Sequence, residues 1–156
     1  MKSTGYFLYL LLLGIWTGGI FMFTVVVTPV IFKAFERDLA GSIVGRLFPG
    51  YFFFILITVA LAATFLFFAW SARTEAAFKV SVILVVIALA IALYVNFSLY
   101  PRMQSLKKEI PSFESASSFH PFRLKFRKLH AESAVLNLIL FADGVALVAL
   151  AAFSRK

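Results

Sequence analysis

The stretch VSVILVVIALAIALYVNFSLYP, residues 80–101, decides the class of fold. None of its 22 residues is charged, and about 20 apolar helical residues are enough to cross the ~30 Å hydrocarbon core of a bilayer. Three other runs have comparable length, namely 6–32, 47–72 and 133–154. The last of them carries a single charge, Asp143. The sequence therefore predicts four transmembrane helices.

The composition excludes a water-soluble globule. Of the 156 residues 62% are hydrophobic and 14% are charged, whereas soluble proteins are about 45–50% apolar. A soluble domain of this size buries only about 70% of its unfolded surface, so it could not hide so many apolar side chains. We expect an all-α integral membrane protein of one domain, residues 1–156. Its fold should be an antiparallel bundle of four transmembrane helices, with spans near 6–32, 47–72, 79–101 and 130–154.

Few residues of the sequence are of types that catalyse reactions or bind metals. Cysteine is absent and only two histidines occur, which excludes disulfides and thiolate ligands and disfavours a metal cage within one chain. No nucleophile, zinc-protease or phosphate-loop motif is present. We therefore expect a protein that is not an enzyme and that has no resident metal or cofactor. The net charge of +8 favours contact with anionic lipid over nucleic acid.

The distribution of positive charge predicts an orientation. Five Lys and Arg residues lie on the side of both termini, and ten lie on the other side. The five are Lys2, Arg73, Lys79, Arg155 and Lys156. Because the more basic side usually faces the cytoplasm, both termini should lie outside it. We expect the membrane to be a bacterial inner membrane.

A basic amphipathic segment precedes the fourth span. After Pro121, a favoured first helical residue, the apolar residues Phe122, Phe126 and Leu129 recur at helical spacing. The other faces carry Arg123, Lys125, Arg127 and Lys128. This pattern predicts a helix at the level of the lipid headgroups that runs into the fourth span and binds anionic lipid.

Asp143 is the clearest polar residue inside a predicted span. An ionisable side chain near the bilayer centre raises the free energy of membrane insertion by about 2.5–3.5 kcal/mol, so we expect it to have a polar partner or a functional role. One interpretation is a structural hydrogen bond to Thr58 or to a backbone carbonyl. The other is a proton relay or a transport site.

Small residues mark two sites of helix packing. Gly14 and Gly18 form a G-x-x-x-G pattern in the first span, and Gly41 and Gly45 precede the second. Such pairs allow another helix backbone to approach closely. A second copy of the chain or another membrane protein is a candidate partner.

Several polar residues should lie near the cytoplasmic boundary. Asn96 and Asn137 each fall about 8–9 Å inside that end at ~1.5 Å per residue, so the two amides could meet. Four further residues fall near the same level: Arg46, Arg102, His130 and Glu132. We interpret the group as a polar vestibule suited to an anionic headgroup or a small anion. The alternative is that these side chains only solvate the interface and hold helices together.

Residues 40–52 read AGSIVGRLFPGYF. This block resembles the A-G-x-x-x-G-x-L-F-P-x-Y-F signature of the transmembrane protein 205-like family (domain of unknown function 4149). Residues 100–102 (YPR) and 126–130 (FRKLH) look like that family's arrangement as well. The resemblance implies a four-span integral membrane protein, and it carries over no enzymatic activity.

Three functions remain open from the sequence. The first is a small permease, export or resistance component that handles a solute or lipid through the vestibule. The second is a non-catalytic scaffold or subunit of a membrane complex. The third is a module in which His130 binds haem or a quinone headgroup.

Overall fold

The computed structural model describes residues 2–69, 74–113, 115 and 120–154, and every regular element within them is helical. In chain order these elements are α1 (Lys2–Phe21), a π-helical turn π1 (Met22–Val27), α2 (Thr28–Ala34), α3 (Arg37–Ala69), α4 (Glu75–Tyr94), a second π-helical turn π2 (Val95–Leu99), α5 (Tyr100–Lys108) and α6 (Pro121–Phe153). The predicted all-α fold is confirmed.

The elements form four long helical units. Those units, each long and apolar enough to cross a membrane, are Thr4–Ala34, Arg37–Phe68, Glu75–Lys108 and Pro121–Phe153. Within the bundle α1 packs on α3, α3 on α4, α4 on α6, and α6 returns to α1. Each helix thus contacts the next along the chain, and the ring is closed by the first and the last. The protein is a four-helix integral membrane bundle.

Hydrogen bonds near both termini define one end of the bundle, which we call the terminal end. The amide of Thr74, at the start of α4, donates to the carbonyl of Ser154 at 3.3 Å. The Tyr6 hydroxyl of α1 donates to the carbonyl of Ala151 at 2.9 Å. The start of α1, the start of α4 and the end of α6 therefore lie together.

The opposite end, which we call the basic end, holds the two remaining connections. The Lys107 ammonium at the end of α5 donates to the carbonyl of Gly41 near the start of α3 at 2.7 Å. The Asp38 carboxylate accepts hydrogen bonds from the Ser112 hydroxyl and from the amide of Phe113. These contacts fasten the segment after α5 to the first turns of α3.

The helices extend beyond the predicted spans. α3 begins at Arg37 rather than near 47, so Gly41 lies inside a helix rather than in a loop before it. The third unit continues past Pro101 to Lys108, and α6 begins at Pro121, where the basic segment that runs into the fourth span was predicted to begin. At 33 residues, α6 is about 50 Å long. The helices are longer than the predicted spans because the end of an uncharged run marks the edge of the hydrocarbon, not the end of a helix.

Some predicted features lie outside the described residues. These are the last part of the predicted second span, residues 70–72, and three of the charges used for orientation, Arg73, Arg155 and Lys156.

Each π-helical turn directly precedes a helix that has proline in its first turn. Pro29 follows π1 and Pro101 follows π2. Proline has no N–H to donate and its ring clashes with the preceding turn, and a π turn accommodates such a break in the ladder. In π2 the Asn96 side-chain amide donates to the carbonyl of Ala92 at 2.8 Å, so a polar side chain satisfies a backbone group there.

The core of the bundle is apolar, and so is most of its outer surface. α1 buries Tyr9, Leu13, Trp16 and Ile20 almost completely. Many large apolar side chains point outward instead, among them Phe67 and Phe97, which are 76% and 71% exposed. An outer surface of this kind suits hydrocarbon rather than water.

Glycines pack differently on the inner and outer faces. A Cβ at Gly144 would lie 2.6 Å from the Thr17 methyl carbon and against the Trp16 ring. A Cβ at Gly14 or Gly18 would meet no atom within 4 Å. The predicted G-x-x-x-G pair therefore makes no such close contact within the chain, whereas Gly144 sets the approach of α6 to α1.

The glycine packing predicts opposite effects of two alanine substitutions. Gly144→Ala should lower the free energy of unfolding by about 1–3 kcal/mol through overpacking, because the Thr17 hydroxyl is held on the Leu13 carbonyl and cannot turn away freely. Gly18→Ala should not lower it, since the site is open and alanine favours a helix. Thermal unfolding in the same detergent compares them, and equal losses in both variants would contradict the packing described.

Candidate functional site: a cavity with a basic edge

A cavity of about 580 Å³ opens at the basic end of the bundle. Its volume lies within the range of small-molecule sites in proteins. The sixteen lining residues come from α2, α3, α5, α6 and the segment after α5: Thr28, Phe32, Arg37, Gly41, Val44, Gly45, Phe48, Tyr100, Met103, Gln104, Lys107, Phe113, Arg123, Phe126, Arg127 and His130. Each of the four helical units contributes more than one residue.

The walls of the cavity are mainly aromatic. Phe113 and Phe126 meet edge to face with ring centroids 5.1 Å apart, and the His130 ring stacks nearly parallel on Phe126 at 6.0 Å. Phe113 is placed by the bond from its own amide to Asp38 at 2.6 Å. The tether on α3 therefore brings a loop residue into the cavity wall.

Four cationic side chains line the edge of the cavity, and none of the lining residues is acidic. Two of the four, Arg123 and Arg127, come from α6 at a spacing of four residues, and His130 follows three residues later on the same helix face. Lys107 lies along the Gly41–Gly45 stretch of α3, where a Cβ at Gly45 would sit 2.8 Å from its ammonium nitrogen. Arg37 completes the set. Gly45 thus makes room for a lysine rather than for a helix.

An aromatic layer forms the floor beneath the cavity. The rings of Phe23 and Tyr51 stack with centroids 4.0 Å apart, and those of Phe48 and Phe52 stack at 5.1 Å. Tyr100 meets Phe52 edge-on at 5.6 Å. Because Phe48 and Tyr100 also line the cavity, this layer separates the cavity from the interior of the bundle.

Two amides brace the helices at this level. Asn137 of α6 accepts a hydrogen bond from the Tyr51 hydroxyl at 2.5 Å and donates to the Thr24 hydroxyl of π1 at 2.9 Å. Asn96 of π2 donates to the Phe52 carbonyl at 3.0 Å. The two amides therefore do not bond to each other, although their similar depth along the sequence had suggested that they could. Each amide instead forms a hydrogen bond with α3, Asn137 with Tyr51 and Asn96 with the adjacent residue Phe52.

Of the residues predicted for the vestibule, the cavity lining includes His130 but not Arg46, Arg102 or Glu132. Arg46 is exposed on α3. Glu132 accepts a hydrogen bond from the Tyr94 hydroxyl at 2.7 Å, on the exposed side of the bundle. Arg102 lies close to the same hydroxyl.

A second, shallower groove lies between α5 and the start of α6. Its volume is about 420 Å³, and its cationic residues are Arg102, Lys125 and Lys128. The predicted basic segment therefore divides into two faces. Arg123 and Arg127 line the cavity, whereas Lys125 and Lys128 line this outer groove.

Asp143 lies apart from the cavity, inside the bundle. It is 7% exposed, and neither carboxylate oxygen has a hydrogen-bond partner. Thr58, the predicted partner, bonds instead to the Phe54 and Ile55 carbonyls of its own helix at 3.0 Å each. The structural hydrogen bond predicted for Asp143 is thus absent.

Sequence reasoning missed part of the cavity edge. Arg37 and Lys107 were counted only for orientation, and Arg123 and Arg127 were assigned to lipid headgroups. The spacing of Arg123, Arg127 and His130 already carried the signal, because these residues share one face of a continuous helix. Among the described residues no group of three His, Cys, Asp or Glu side chains could hold a metal ion.

Comparison with known proteins identifies one match. A family model described as Domain of unknown function (DUF4149) matches residues 11–112, which is more than half of the chain. No curated protein and no solved structure matches the chain significantly.

The bracing at the cavity floor predicts the effect of removing one hydroxyl. Tyr51→Phe leaves the Asn137 carbonyl oxygen without its donor, and such hydrogen bonds between membrane helices are worth roughly 0.6–1.7 kcal/mol. Tyr94→Phe is the control, because Tyr94 bonds Glu132 on the exposed side and its loss should change stability by less than about 0.5 kcal/mol. Thermal unfolding of both variants tests the difference, and a larger loss in Tyr94→Phe would contradict it.

Proposed function

We propose that this chain, which belongs to the DUF4149 family, is a small permease or export component for an amphiphile with an anionic head and an apolar body. The observation that carries the proposal is the pairing, in one cavity, of aromatic walls with an edge of four cations. A purely polar solute would gain nothing from those walls. A neutral lipid would gain nothing from the cations.

The cationic edge suits a phosphate or carboxylate head. Arg123 and Arg127 lie one turn apart on α6, and a guanidinium can bind an oxyanion through two parallel hydrogen bonds. Lys107 adds a compact charge on the α5 side of the cavity. The head would therefore be held between two helical units.

The aromatic walls suit the apolar body of the ligand. Phe48, Phe113 and Phe126 line the cavity together with Met103, whose flexible thioether side chain adapts to ligands of different shape. Apolar contact favours binding by about 25 cal/mol for each Å² removed from water. The walls thus supply affinity, and the cations supply selectivity for charge.

The proposed orientation places the cavity on the cytoplasmic side of a bacterial inner membrane. Ten of the 15 Lys and Arg residues lie at the basic end, which supports this orientation. Cargo would then be collected from the cytoplasm or from the inner leaflet. We propose transport rather than catalysis because the described residues of the lining include no carboxylate that could activate the Thr28 or Tyr100 hydroxyl.

The outer groove has a separate role in this proposal. Arg102, Lys125 and Lys128 flank an apolar surface that includes Leu106 and Leu129. Anionic lipid headgroups would bind there and hold the start of α6 at the membrane surface.

A pair of charge-neutralising variants on one helix tests the cavity. Arg127→Gln should weaken binding of lysophosphatidic acid about 10- to 100-fold, because a charge-assisted hydrogen bond is worth about 1.5–3 kcal/mol. Lys125→Gln, which makes the same charge change on the outer groove, should leave the affinity nearly unchanged. Native mass spectrometry of the full chain in nanodiscs measures both, with a neutral monoacylglycerol as the ligand control.

Two results would contradict the proposed function. Equal losses in the two variants would show that general charge, not the cavity, binds the ligand. Equal binding of the neutral lipid by the wild-type protein would remove the role of the cationic edge.

A second candidate function, a subunit or scaffold, is favoured by one observation. Gly14 and Gly18 lie on the outer face of α1, with open space where their side chains would be. This small-residue surface suits the close approach of a helix from another chain, either a second copy or a different membrane protein.

A bulky side chain on that surface tests the second candidate. Gly18→Leu should abolish an oligomer or a complex without lowering thermal stability, because nothing within the chain occupies the site. Gly50→Leu, at another open position, is the control. Crosslinking in native membranes followed by mass measurement reports the assembly. An unchanged pattern in Gly18→Leu would exclude this surface as the contact.

A further inference from the structure

Asp143 is a buried acid without a partner. It is 7% exposed, and neither of its carboxylate oxygens accepts or donates a hydrogen bond. The neighbouring residue Gly144 packs against Trp16 and Thr17 of α1, and the Trp16 indole N–H is also buried without a partner. The region around the α1–α6 contact therefore contains unsatisfied polar groups on both helices.

No other span supplies a charge to balance a carboxylate. Residues 6–32, 47–69 and 80–101 contain no Asp, Glu, Lys, Arg or His, and residues 133–154 contain only Asp143. The other titratable side chains within these four ranges are tyrosines. Three of them donate elsewhere, Tyr6 to the Ala151 carbonyl, Tyr51 to Asn137 and Tyr94 to Glu132.

The other two tyrosines, Tyr9 and Tyr100, supply no compensating positive charge either. Tyr9 is buried on α1, and Tyr100 lies at the cavity on the basic end. A phenol cannot neutralise a carboxylate by carrying a positive charge. An ionised Asp143 would therefore be an isolated negative charge in an apolar interior, an arrangement that proteins avoid by neutralising the group.

We infer that Asp143 is a proton-binding site inside the membrane bundle, which carries its proton while the helices are closed. A metal cation fits poorly, because hard cations require six or more oxygen ligands and no cluster of metal-binding side chains exists among the described residues. A proton needs only one carboxylate oxygen. The site is separate from the cavity, so it goes beyond the proposed function and does not depend on which ligand the cavity binds.

Release of the proton requires a change in the bundle. A carboxylate left in this apolar interior would need a hydrogen-bond donor, and none reaches the buried Asp143 oxygens while the bundle is closed. Loss of the proton is therefore linked to a movement of the helices that brings such a donor to Asp143. In a permease, this linkage would connect proton movement to helix movement.

The protonation of Asp143 can be tested with one internal control, because the only other aspartate in the sequence is Asp38. The experiment uses the full chain in lipid vesicles at neutral pH, with ¹³C placed in the aspartate side-chain carboxyls, and infrared spectroscopy as the readout. We expect an isotope-shifted C=O band of a protonated carboxylic acid. Asp143→Asn should abolish that band. Asp38→Asn should retain it, because Asp38 accepts two hydrogen bonds at the basic end.

Exchange into D₂O distinguishes a working site from a permanently sealed acid. A proton that leaves and returns gives a deuterium shift of the Asp143 band within minutes, and we expect such a shift. A labelled sample that shows only ionised aspartate, or a band that persists in Asp143→Asn, would overturn the inference. So would a band that remains unshifted for days. These outcomes do not depend on whether Arg127→Gln loses lysophosphatidic acid binding. That binding experiment tests the cavity alone.

Discussion

Hydrocarbon offers no hydrogen-bond partner, so each polar group in the spans must be satisfied within the chain. Most of these polar groups form their hydrogen bonds within their own helix. The Thr58 and Ser81 hydroxyls return to carbonyls of their own helices. The two amides that reach across, Asn96 and Asn137, both end on α3. α3 is consequently the helix to which the other three units are tied at the level of the cavity floor, through hydrogen bonds as well as through apolar packing.

The same constraint explains how far the fold could be predicted. An apolar run such as 80–101 has few alternatives to a membrane helix, and the number of spans and the all-α class followed from four such runs. The limits of the uncharged runs do not mark the helix ends, because those ends lie in water or among headgroups, where charged residues are compatible with a helix. Arg37 and Lys107 are helical for this reason although they lie outside the uncharged runs.

The candidate site was predicted less well than the fold. Depth along a helix was accessible from the sequence, and it placed Asn96 and Asn137 correctly at one level. Side-chain partners depend on helix rotation and tilt, which no residue count gives, so the link from both amides to α3 was not foreseen. The cavity edge required knowing that Lys107 of α5 lies across the glycines of α3. This contact joins elements more than 60 positions apart in the sequence.

The two π-helical turns have a mechanical consequence. α2 and α5 both line the cavity, and each is joined to the rest of its span through a π turn followed by proline. A backbone ladder interrupted in this way bends more readily than an intact one. We therefore expect the first and third helical units to bend at these two π turns, next to the cavity, rather than within α1 or α4.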